Sequence, residues 1–172
     1  AGRSLSLPRV RACGVGGADL GLMVDDKWDP LYSVLPMVRY VHKTPIVDGV
    51  GLKNTLENKS APFLESRIPE YLNQVGRRAF VVSGADRWGM STSFLNAGYD
   101  VAFGDLMFGL SIPIALHTAR QLKTFAAILM PIAGRLPFNW IYPTGEKQER
   151  RVPRYEKFYR WASVIAGDCH YL

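Results

Sequence analysis

The chain has 172 residues, 48% hydrophobic and 21% charged, which excludes a largely disordered polypeptide and allows one substantial domain or one domain with part of another. Its net charge is +6, but the basic residues are scattered, and the one dense stretch, EKQERRVPRYEKFYR, interleaves acids. That pattern excludes a nucleic-acid-binding arm and fits an anionic small-molecule partner, with a homo-oligomer possible. Cys13 and Cys169 stand apart with no CxxC, and the three His form no ligand cluster, so reduced cysteines, no metal and a cytoplasmic setting are expected. The chain begins at Ala1 without Met and stops at VIAGDCHYL, so a fragment of a longer protein is expected.

In chain order, residues 12–15 read as a short strand followed by a glycine-rich turn, and DDKWDP as a polar turn. PLYSVLPMVRYVHK carries Leu31, Leu35, Val38 and Val41 at helical spacing behind Pro30. TPIVDG is a short strand closed by Asp48 and Gly49. GLKNTLEN starts a helix, and SAPFLESRIPEYLNQV continues it with a break or second start at Pro69. Residues 79–83 form a strong strand. A long apolar helix is expected over 114–130; TFAAILMPIAG, which overlaps its end, is too short to span a bilayer and reads as buried, so no membrane partner is expected. A loop rich in proline and aromatics precedes an amphipathic helix from about residue 153, and ASVIAGD is a last strand. Strands alternating with helices predict an α/β fold: a Rossmann-like parallel sheet with helices on both faces, plus a partial N-terminal α/β segment.

The stretch VVSGADRWGMSTSFLNAGYDVAFGD, residues 81–105, reads as strand, glycine turn, helix, and a second strand ending in an acid. A dinucleotide site needs a tight turn after the first strand, backbone N–H groups at the helix start free to face a pyrophosphate, and an acid at the end of the second strand that accepts from ribose hydroxyls. Gly84 follows the strand, Gly89 falls at the helix start, Gly98 at the helix C-cap, and Asp105 lies 21 positions after Gly84, near the spacing of roughly 20. The candidate cofactor residues are therefore Gly84, Ala85, Asp86, Arg87, Trp88, Gly89 and Asp105. The spacing is GxxxxG rather than GxGxxG. Asp86 would oppose a phosphate, and Arg87 could offset it or hold a 2′-phosphate. Trp88 could cover a cofactor or block it. The alternative is an ordinary βαβ turn.

IVDGVGLKNTLE followed by GRRAFVVSGADRWGM resembles the shikimate and quinate dehydrogenases, in which a strand ends in NTDGxGF and a helix leads to a GKRVLVLGAGG-like phrase. TPIVDGVGLKNTLE, FGDLMFGL and PTGEKQE are similar to bacterial proteins of the quinate 5-dehydrogenase type. The resemblance implies hydride transfer between a ring hydroxyl of a quinate- or shikimate-like acid and NAD, with NADP possible. It implies Asp48 as catalytic acid–base group, partnered by a Lys; the family's SVTxPxK phrase is absent here, leaving Lys43 or Lys53 for that role. It also implies a partial substrate domain over 1–52, a helical connector over 53–75 and a Rossmann-like nucleotide domain over 76–172. Lys147, in PTGEKQE, and Asp168 and His170, at the end of the last strand, are further substrate candidates. Two other functions are compatible with the residues: a nucleotide-binding protein without this chemistry, and a structural module without cofactor.

Overall fold

A computed structural model describes residues 13–15, 20–136 and 154–168. Two small sheets come first. Strand β1 (Cys13–Val15) pairs in parallel with β4 (Ile46–Asp48). Strands β2 (Gly21–Val24) and β3 (Lys27–Pro30) form an antiparallel hairpin. Its connection is Asp25-Asp26, both left-handed at φ 52° and 61°, the conformation that lets a two-residue loop follow the twist of its strands. The sequence reads here as two turns, because Asp-Asp lacks the glycine that normally announces such a hairpin. Helix α1 (Leu35–Arg39) is shorter than its apolar spacing suggests. Before it, the Leu31 and Tyr32 N–H groups donate to Leu20 and Gly134 carbonyls, and Leu31 and Val34 enter the core from a turn.

Helices α2 (Val50–Glu57), α3 (Ser60–Arg67) and α4 (Pro69–Val75) follow, with Pro69 opening the last as a helix start rather than a kink. The main sheet then contains β5 (Arg78–Val81), β6 (Asp100–Phe103) and β7 (Val164–Ala166), all parallel, in the order β6-β5-β7. Between and around them run α5 (Trp88–Asn96), α6 (Asp105–Leu110), α7 (Ala119–Ala133) and α8 (Glu156–Trp161). Gly98 closes α5 at φ 77°, as its position predicts.

The apolar runs of β5 and β6 are continuous because both sheet faces are covered. Ala79, Val81, Val101 and Phe103 pack with Phe94 of α5 and with Leu122 and Ala126 of α7. Phe80, Val82 and Ala102 alternate to the other face and pack with Met107 of α6 and with Phe158 and Tyr159 of α8. Phe80 stacks on Phe158 at 5.5 Å between centroids and meets the edge of Tyr159 at 5.2 Å. Its full burial contributes about 1.5–3 kcal/mol. The protein is thus a mixed α/β fold around a small three-stranded parallel sheet.

Helix α7 starts later than the apolar pattern predicts. The Leu116 and Phe103 backbones exchange hydrogen bonds of 2.7 and 3.2 Å, which holds the preceding segment extended along the outer edge of β6. Thr118 then starts the helix through a reciprocal capping box with Gln121. The helix is also not buried all round: Leu122, Ala126 and Met130 face inward, while Ile128 and Ile132 are exposed. Among the described residues, no helix is long and apolar enough to cross a membrane.

Candidate functional site

The carboxyl ends of β5, β6 and β7 converge on the glycine turn. Because β6 and β7 lie on opposite sides of β5, the strand order reverses there, and such a reversal in an open α/β sheet leaves a crevice beyond the strand ends. Asp105 begins α6 directly after β6 and turns back into this region. Its Oδ2 accepts from the Gly84 N–H at 2.8 Å and its Oδ1 from the Ala85 N–H at 2.9 Å. Two N–H groups of the turn therefore already hold the chain's own carboxylate, and the acid expected to accept from a ribose is engaged inside the protein. The spacing that suits a ribose equally brings an acid on one strand end to the turn of its neighbour. As it stands, the turn does not fit a dinucleotide pyrophosphate at Gly84 and Ala85. Burial pushes the Asp105 carboxyl up to about 6, against the opposing effect of the Ala85 and Gly84 N–H groups.

The glycines of the turn likewise serve internal packing. A Cβ on Gly84 would lie 2.6 Å from Phe103 Cδ1 and 3.0 Å from Leu122 Cδ2. One on Gly89 would lie 2.6 Å from Asn54 Oδ1 and 3.0 Å from Glu57 Cβ, so Gly89 is what lets α2 lie against α5. Gly89→Ala is expected to force these helices apart and cost about 1–3 kcal/mol, read as a lower midpoint in chemical denaturation. An unchanged midpoint would show that Asn54 can move aside freely.

Helix α2 brings two charges to the turn. Lys53 and Glu57 are four residues apart and share one helix face. Lys53 Nζ lies 3.0 Å from Asp86 Oδ1. Arg87 spans three acids: Nη1 is 3.1 Å from Glu57 Oε1, Nε is 3.5 Å from Asp86 Oδ2, and Nη2 bonds Asp168 Oδ1 beyond β7. Burial raises the Glu57 carboxyl above its usual range, with Arg87 and Lys53 opposing the rise. Burial also works against the charge on Arg87, but Asp86, Asp168 and Glu57 together hold its guanidinium above the ordinary value. The cluster thus contains four acids, counting Asp105, against two cations. Glu57 went unassigned in the sequence, although its spacing from Lys53 is the signal that could have found it.

Trp88, the first residue of α5, is only partly buried. It packs at the margin of the core, with Lys123 Nζ 5.8 Å from the centre of its ring, and Lys123 also pairs with Asp25 at the hairpin tip at 2.5 Å. With Lys53 and Asp86 it borders a void of about 20 Å³, room for a water molecule. Asp48 ends β4, half-buried, two residues before α2. Lys43 is exposed in the preceding turn, and among the described residues no ion pair or hydrogen bond joins the two. Lys147 and His170 lie outside the described residues. Among those described, no three His, Cys, Asp or Glu side chains converge as a metal site.

Beside the charge cluster lies a cavity of about 140 Å³. The hairpin contributes Leu22, and α7 contributes Phe125, Leu129 and Met130; the polar lining residues are Ser83, Asp86, Asp105 and Asp168. It brings apolar surface and polar groups together at the strand ends. Comparison with known proteins finds no match among curated proteins or among solved structures. A family model does match residues 51–172, the part that holds Lys53, Glu57, the turn and all three strands of the main sheet. The chain belongs to the family described as Domain of unknown function (DUF8754).

Proposed function

We propose that the chain binds a small molecule in the crevice at the carboxyl ends of the parallel strands. One observation carries this reading: Asp86 after β5, Asp105 after β6 and Asp168 after β7 line a single cavity whose other walls are mostly apolar. Convergent polar groups on an apolar pocket are the usual form of a small-ligand site. The volume limits the guest. Pockets that enclose drug-sized ligands run to roughly 300–1,000 Å³, whereas a void of about 150 Å³ holds benzene. At about 140 Å³ the cavity suits one ring or its equivalent. A nuclear magnetic resonance screen of single-ring fragments should shift Ser83, Asp86, Asp168 and Leu129 together. Fragments that bind only elsewhere would overturn the assignment.

A second reading is a Rossmann-like dehydrogenase acting with NAD, or NADP, on a quinate- or shikimate-like acid. It is favoured by α2, which begins just after Asp48, packs on α5 and brings Lys53 to Asp86 in the glycine turn. Titration with NADH and NADPH, followed by tryptophan fluorescence, tests it. Saturable binding that quinate or shikimate then modifies would support it, and no saturable binding of either nucleotide would sink it.

A further inference from the structure

Resting on the reading of the crevice as a small-molecule site, we propose that its ligand is a compact organic amine: an apolar body of about one ring with a protonated nitrogen directed at Asp86 and Asp168. Shape and sign act together in this crevice. The charged residues lining the cavity are Asp86, Asp105 and Asp168, all acids. Lys53 and Arg87, which pair with Asp86 and Asp168, reach those carboxylates without lining the cavity themselves. A ligand in this cavity therefore has acids as its charged neighbours, with Leu22, Phe125 and Leu129 among its apolar ones. Both oxygens of Asp105 are held by the turn's N–H groups, so an anionic head would be set against Asp86 and Asp168, where apolar walls strengthen every charge interaction. A protonated nitrogen reverses the sign of that energy and replaces the water it displaces as a hydrogen-bond donor. The same apolar walls disfavour a strongly hydrated inorganic cation, and the described acids are not arranged to chelate one. The overall charge of +6 suggests an anionic partner, but the local sign inside the crevice is the opposite, and a ligand responds to the groups it touches.

Three probes with the same ring decide the point: benzylamine, benzyl alcohol and benzoate, each titrated into the whole chain by resonance shifts and calorimetry. Benzylamine should bind at least about tenfold more tightly than benzyl alcohol, a difference of about 1.4 kcal/mol, and benzoate more weakly than the alcohol. Benzyl alcohol shifting Ser83, Asp168 and Leu129 while benzoate equals or exceeds benzylamine would overturn the amine and leave the crevice standing. If none of the three shifts those residues, the crevice reading itself falls. Asp168→Asn should narrow the preference of benzylamine over benzyl alcohol; an equal loss for both probes would count against a direct role for that carboxylate. The comparison in the unmodified chain holds even where that substitution weakens the fold.

Discussion

Replacing Arg87 with Met is expected to lower the free energy of unfolding by about 3–5 kcal/mol, the range for removing one partner from a buried charge group. The Arg87 side chain is only 24% exposed, and its guanidinium is the common partner of three carboxylates from three parts of the chain: Glu57 of α2, Asp86 of the turn and Asp168 after β7. Without it, Lys53 alone balances them. Glu57, already raised by burial and held down in part by Arg87, would rise further. The sign of the pH effect follows. A carboxyl whose folded-state value lies above its unfolded one favours the folded state at low pH and loses that advantage as pH rises. The Met variant should therefore lose less stability near pH 5 than near pH 8, as measured by urea unfolding at both. Lys in place of Arg cannot span three acids with a single ammonium and should recover only part of the loss. A loss below about 1 kcal/mol at both pH values would mean that the cluster behaves as solvent-screened surface pairs.

The second large effect belongs to Asp105. Its carboxyl is raised from 3.8 to about 6, chiefly by burial. The folded state therefore binds this proton more tightly than the unfolded chain does. Its contribution to stability is complete below about pH 4 and is lost as pH rises through about 6, a change of about 3 kcal/mol. Other carboxyls titrate in the same window, so the readout is a difference. Asp105→Asn has no proton to lose, and one face of its amide meets an N–H with another donor. The variant should be less stable than the parent at pH 4, with the gap narrowing as pH approaches 7. Parallel pH–stability curves would mean that Asp105 titrates at its ordinary value in the folded protein.

What could be read beforehand divides by range. The strand expected over 79–83, found over 78–81, the strand expected to end in Asp105, found to end at Phe103, the strand before Asp48, the break or second start at Pro69 and the left-handed Gly98 rest on local signals, and they appear at or within two residues of where those signals place them. The Asp-Asp hairpin turn and the late start of α7 do not, because each depends on partners outside the local pattern. The limit is sharpest at the site. The 21-residue interval from Gly84 to Asp105 is visible in sequence, but whether that acid faces outward to a ligand or back to the turn's N–H groups is decided by its rotamer. The tripartite role of Arg87 needs Asp168, a residue 81 positions away, and no periodicity encodes such a meeting.

That separation has a consequence for how freely this architecture can vary. The Arg87–Asp168 contact closes a long loop, and closure entropy grows only with the logarithm of loop length, about 0.6 kcal/mol for each doubling. Lengthening or shortening the connection from β6 to β7 by a dozen residues changes that cost by only about 0.1–0.2 kcal/mol, well within the thermal energy. The crevice is thus assembled from chain segments whose separation is thermodynamically almost irrelevant. The connection between them can diverge in length while the acids at the strand ends keep their places.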